Sequence, residues 1–134
     1  YSTAIHRFVR AVPQCVEVTA SSGVAVGTKF NVSTATYTGS TGEITLTIGN
    51  NSLANGDTIK IADNSLIFTC TMDNHYSEHS YPRATDPASN TSLTLAVAVA
   101  NESIRLNVGK SYSGGYVAPL EMELIASILE NSNV

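Results

Sequence analysis

Charge is what this chain has least of. Only 13% of its 134 residues are Asp, Glu, Lys or Arg, about half the usual share of a globular protein. The net charge is −4 and the seven Lys and Arg residues never cluster. That excludes a nucleic-acid role, because binding phosphates needs a basic face. No apolar run approaches the roughly 20 residues of a membrane-spanning helix. The opening "YSTAIHRFVR" lacks the apolar core of a signal peptide, and a chain that starts on Tyr1 reads as processed or as a segment of something longer. Cysteine is scarce too, with only Cys15 and Cys70. They are either one disulfide, as suits an extracellular particle, or two reduced thiols packed as small apolar residues. There is no nucleophile elbow, HExxH, P-loop or dinucleotide fingerprint. No enzyme and no cofactor are expected.

Ser, Thr and Asn take the place of the missing charges, and between them run strands. "GEITLTIG" alternates strictly, with Ile44, Leu46 and Ile48 on one face and Glu43, Thr45 and Thr47 on the other, the pattern of a half-buried strand. "DTIKIA" points Ile59 and Ile61 inward, and "SLIFTCTM" does so with Leu66, Phe68 and Cys70. "ANGD" and "ADNS" read as hairpin-like turns, because Asn and Gly tolerate positive φ. "SLTLAVAV" and "ESIRLNVG" follow, and "AIHRFVRAV" and "CVEVTA" at the start are two strands broken by Pro13. "EITLTIGNNS" and "SIRLNVGKS" echo each other as similar strand-to-turn exits. Four N-x-S/T matches, at Asn31, Asn50, Asn90 and Asn101, are what chance supplies in so Asn- and Ser-rich a chain.

"PLEMELIASILEN" is the one helix expected. Pro119 suits a first helical position, and Glu121 and Glu123 complement the helix N-terminus. Leu120, Leu124, Ile125, Ile128 and Leu129 recur at three-to-four spacing as one apolar stripe. Gly114 and Gly115 make a flexible joint before it. The organisation is a β-rich domain over 1–113 and a jointed helix over 114–134, docking on its own sheet or on a neighbouring subunit. The fold class is all-β, an antiparallel sandwich or barrel-like domain, with one C-terminal α-helix.

The densest chemistry lies in "TMDNHYSEHSYPRATDP", Thr71 to Pro87. His75 and His79 have the H-x3-H spacing that would put two zinc ligands on one helix face. The Asn, Ser and Pro around them disfavour helix, so they are weak metal candidates. A third ligand could come from Asp73, Glu78 or Asp86. Pro82 and Pro87 fix the backbone at their positions and in the residues before them. Arg83 is placed to bridge Asp73 or Asp86, and Tyr76 and Tyr81 offer amphipathic surfaces that anchor a loop or fill a partner's pocket. A shaped contact loop carried by Tyr76, Tyr81, Arg83 and Asp86 is the expectation.

The segment from Ala35 to Gly109 resembles a module of virion structural proteins of marine tailed bacteriophages, cyanophages in particular. "IADNSLIFTC" and "HSYPRATDPAS" carry the resemblance most specifically. It implies a structural component of a virion, a capsid decoration or a tail or fibre subunit, assembled with other copies of itself and with other virion proteins. Two alternatives stand beside it: a module that binds host glycan at a particle surface, and a subunit of a self-polymerising extracellular filament.

Overall fold

The computed structural model describes residues 5–110. Ten strands follow one another: β1 (His6–Ala11), β2 (Val16–Ala20), β3 (Lys29–Phe30), β4 (Thr34–Thr38), β5 (Glu43–Thr47), β6 (Thr58–Ile61), β7 (Leu66–Cys70), β8 (His79–Tyr81), β9 (Leu93–Val99) and β10 (Ser103–Asn107). All pair antiparallel. Seven form a sheet in the order β3-β2-β6-β9-β10-β5-β4, which curls into a half-barrel, and three form a second sheet, β1-β7-β8. Among the described residues there is no α-helix, only a 3-10 turn at Thr71–Asp73. The helix expected at 114–134, with Leu120, Leu124, Ile125, Ile128 and Leu129, lies outside the described residues.

The alternating apolar residues of the strands build the core. Val16, Val18, Ile44, Leu46, Ile59, Ile61, Leu66, Leu95, Ile104 and Leu106 are all fully buried or nearly so. Each contributes roughly 1.5–3 kcal/mol of apolar burial against the entropy of ordering the chain. The two echoing segments turn out to be neighbours: β5 and β10 pair with Ile44 opposite Leu106 and Leu46 opposite Ile104. Both exits use their glycine at positive φ, 72° for Gly49 and 78° for Gly109.

"ADNS" is not a hairpin. It leads from β6 in one sheet to β7 in the other, so the two strands do not pair with each other. The break at Pro13 does the same between β1 and β2, and the two corners lie side by side. Val12 N–H donates to the Ser65 carbonyl at 2.7 Å, and Ala62 N–H to the Cys15 carbonyl at 2.8 Å. Gln14 and Asn64 take positive φ there, 59° and 61°, as the reversal demands. "ANGD" does turn, with Gly56 at φ 89°, but its backbone bonds to Leu95 of β9 rather than closing a hairpin. At the far end of β1, the isolated bridge Ile5–Thr38 ties the small sheet to β4 of the large one.

Cys15 sits in the corner and Cys70 at the other end of β7, both buried and unbonded. The disulfide alternative is therefore overturned, and burial raises the Cys15 thiol above its ordinary value. Three short strands escape the sequence pattern. β3 and β8 have two and three residues, too few for a period, and "TATYT" (β4) holds one Ala and one Tyr among threonines.

Candidate functional site

The loop after β7 begins with its own backbone. Thr71–Asp73 makes a 3-10 turn, and Asn74 and His75 then both take the left-handed conformation, at φ 59° and 58°. Two consecutive non-glycine residues there cost on the order of 1 kcal/mol each, and a dense set of bonds compensates. His75 N–H donates to the Cys70 carbonyl at 2.8 Å, Asn74 N–H to Thr71 and Tyr76 N–H to Asp73, both at 3.1 Å. The His75 Nδ1 bonds Thr69 Oγ1 at 2.8 Å. The Asp73 carboxylate accepts from Ser77 N–H at 3.3 Å and pairs with His79 Nε2 at 2.9 Å. The Asp73 carboxyl lies below its usual range. Desolvation opposes the shift, and the hydrogen bonds from His79 and from the Ser77 backbone outweigh it.

This geometry removes the H-x3-H helix. His75 is in a left-handed turn and His79 opens a strand, so their rings are not stacked as helix neighbours. The third histidine, His6, reaches the same region from β1, seventy residues away in sequence. It faces Cys70 across the β1–β7 ladder, and His79 faces Phe68 across β7–β8. Sequence distance hid it; only the strand pairing brings it in. Even so, among the described residues no group of three or more His, Cys, Asp or Glu is arranged to hold a metal.

His6 lies edge-on to Tyr37 at 4.9 Å and near Phe68 at 6.5 Å between ring centroids, at the joint between the sheets. Burial depresses its pKa from 6.5 to about 4, with the charges of His79 and His75 adding to the effect. The folded protein therefore keeps this ring neutral where the unfolded chain would protonate it. Stability should be on its plateau above pH 6.5, fall as pH drops from 6.5 towards 4, and lose nothing more from this group below 4. About 2 kcal/mol is expected after discounting for partial exposure. Denaturant unfolding of the parent and of His6→Phe at pH 7 and pH 4.5 measures it: the parent should lose this amount and the variant far less.

The second half of the loop is pinned inside the fold. Arg83 and Asp86 form a bidentate clasp, with Nε on Oδ2 at 3.0 Å, Nη2 on Oδ1 at 3.1 Å, and the Arg83 N–H on Oδ2 at 2.7 Å. Asp86 is 5% exposed and Tyr81 7%. Tyr81 follows β8 inward against Tyr37, and its hydroxyl donates to the Val108 carbonyl at 3.5 Å. Burial, and then the nearby Tyr37 and Asp86, push the Tyr81 phenol far above its ordinary range. The Tyr81–Pro82 peptide is cis.

The contact role expected of Tyr81 and Asp86 is therefore corrected. Tyr81 continues the inward alternation of β8, and the Asp86 carboxylate is drawn in to bind both Arg83 and the loop backbone. They shape the loop and present no surface. Arg83 is largely covered as well, with 12% of its side chain exposed. Tyr76 is the opposite case at 91% exposed, beside an exposed Arg10–Glu78 ion pair of 2.9 Å. A second feature was not visible in the sequence: an open cleft of about 610 Å³ lined by Lys60, Ile61, Ala62, Asp63, Ala84, Ser89 and Asn90. Its rim is cross-bonded, Lys60 Nζ to Asn90 Oδ1 at 3.1 Å and Ser89 Oγ to Asp63 Oδ2 at 2.9 Å. Among the described residues no helix is long and apolar enough to cross a membrane. No protein-family model, characterised protein or solved structure matches this chain.

Proposed function

We propose that this domain is a structural subunit of a tailed-phage virion, a capsid decoration or a tail or fibre component, acting by protein–protein assembly. One observation carries the reading. "IADNSLIFTC" and "HSYPRATDPAS", the segments most specific to the phage module, form one continuous unit. Leu66 lies opposite Tyr81, Asn64 N–H donates to the Pro82 carbonyl at 2.7 Å, and Ser80 Oγ donates to Asn64 Oδ1 at 2.9 Å. Ser89 closes it onto Asp63. Two segments that specify one clasped corner are what a module reused as a building block needs, because assembly demands a fixed shape.

On this reading the scaffold is barrel-like, the small sheet completing the half-barrel through the shared corner and the Ile5–Thr38 bridge. Its partners are other copies and other virion proteins, and its place is the particle. The apolar stripe Leu120–Leu129 serves as a further assembly contact. Truncation after Gly115 should impair assembly more than folding. The measurement is unfolding of the truncated chain beside negative-stain electron microscopy of particles assembled with it. A truncated chain that stays soluble and still assembles normally removes the stripe from the proposal. Antibody labelling of native particles tests the location itself.

A further inference from the structure

The small sheet is joined to the large one at one end. Ala11 of β1, Leu66 of β7 and Tyr81 of β8 stand in one row of its ladder. From that row run all three chain connections between the sheets: residues 12–15 to β2, 62–65 from β6, and 82–92 to β9. The crossed corner bonds and the Arg83–Asp86 clasp lie at this end too. At the opposite end the 71–78 loop only turns β7 into β8. Among the described residues, the backbone tie from that end to the large sheet is a single isolated bridge, Ile5–Thr38. Three strands fastened along one row and stitched by one bridge at the other make a flap, and local opening begins where few bonds cross.

All three histidines of the chain sit at the loosely stitched end. His6 heads β1, His79 heads β8, and His75 lies in the loop between β7 and β8. His6 is the one tucked under the edge, opposite Cys70 and edge-on to Tyr37 of β4 at 4.9 Å. A Cβ on Gly39 would stand 3.3 Å from its Cε1, so the turn after β4 presses on it as well. Among the described residues, the titratable groups around it are Tyr37 from β4, Cys70 from β7, Asp73 and His75 from the loop, and His79 from β8. On its own strand, Arg7 is exposed and Arg10 is paired with Glu78. The one carboxylate in the cluster, Asp73, is bonded to His79 at 2.9 Å. A proton on His6 therefore meets aromatic rings and two further histidines, and moving the ring into water relieves it.

We propose that the small sheet is an acid-released flap: protonation of His6 lifts its histidine end off β4, turning about the corner end, while the large sheet stays folded. This goes beyond the assembly reading and does not depend on it. Opening uncovers Tyr37 and the edge of β4 that Ile5 covers. The packed ring, desolvated first of all, takes its proton at about 4 instead of 6.5, so acid favours the lifted state from 6.5 downwards. With the same discount for partial exposure, the open-to-closed ratio should rise roughly tenfold between pH 7 and pH 5.

The test uses the full chain and its own two thiols. Cys70 is buried at the histidine end and Cys15 at the corner end. A dithiodipyridine, which reacts with thiols in acid, labels them at pH 7 and pH 5, and peptide mass spectrometry separates the two sites. Each rate is divided by that of an unfolded peptide carrying the same cysteine at the same pH. Cys70 should react roughly tenfold faster at pH 5, and Cys15 no faster. In His6→Phe, which keeps a ring but cannot take the proton, the pH response of Cys70 should vanish. Equal acceleration at both thiols would mean general unfolding and overturns the flap. An unchanged Cys70 rate, or a response that survives in His6→Phe, overturns it too. One measurement needs no variant: by NMR the His6 ring of the parent should titrate well below pH 6.5, and an ordinary titration removes the driving force.

Discussion

Replacing Asp86 with alanine is expected to destabilise the protein by about 3–5 kcal/mol, the cost of removing one partner from a buried charge pair. Asp86 accepts three hydrogen bonds from Arg83, two from the guanidinium and one from the backbone. Its carboxylate is 1% exposed, and the Arg83 side chain beside it 12%. Alanine deprives a largely desolvated guanidinium of these contacts and leaves the Arg83 N–H without its acceptor. Arg83→Glu should be similarly damaging, since it sets two carboxylates against each other in the same place. Urea unfolding monitored by circular dichroism measures both. Glu78→Ala is the control: it breaks an ion pair of similar length, Arg10–Glu78 at 2.9 Å, but an exposed one, and no measurable loss is expected. Equal effects at Asp86 and Glu78 would refute the clasp as the loop's anchor.

Gly42→Ala is expected to cost about 3 kcal/mol or more, while Gly49→Ala costs about 1 kcal/mol. Both glycines have positive φ, 80° and 72°, so the backbone strain of adding a side chain is shared. What differs is space. A Cβ on Gly42 would stand 2.7 Å from the Gly109 carbonyl carbon and 2.9 Å from its oxygen, whereas nothing lies within 4 Å of one on Gly49. The obstacle is backbone and cannot rotate aside. Gly109 is itself wedged against Pro87, whose Cβ would lie 3.1 Å from an added methyl. Pushing Gly42 outward therefore also strains the Val108 N–H bond to the Gly42 carbonyl (2.8 Å) and, beyond it, the Tyr81 anchor on Val108. The thermal midpoints of the two variants separate these contributions.

Alternation made the strands legible. Ile44, Leu46, Ile59, Ile61, Leu66, Phe68 and Cys70 all stand on the inner face that their period of two assigns, because a pleated strand leaves side chains no other choice. Local chemistry was legible as well: an Arg three residues before an Asp, between two prolines, is close enough in sequence to pair without knowledge of the fold. The corners were not. A turn of Asn and Ser looks the same whether the next strand folds back on the last or crosses into another sheet, since turn residues report the backbone angle and not the destination. His6 was not legible as a neighbour of His75 and His79 for a related reason, since which strands pair is decided by burial of the whole set.

The sequence by itself determined that this is a β domain of low charge, where its alternating strands lie, which face of each of those is apolar, and that Thr71–Pro87 is held in one shape by Pro82, Arg83, Asp86 and Pro87. The tertiary structure decided which of that loop's residues meet solvent. Tyr76 and Tyr81 are the same residue type five positions apart, and nothing local separates them. One stands on a left-handed turn beyond the sheet and the other on the inward face of β8. Exposure follows from the packing of distant strands around a residue, and that is a property of the assembled fold.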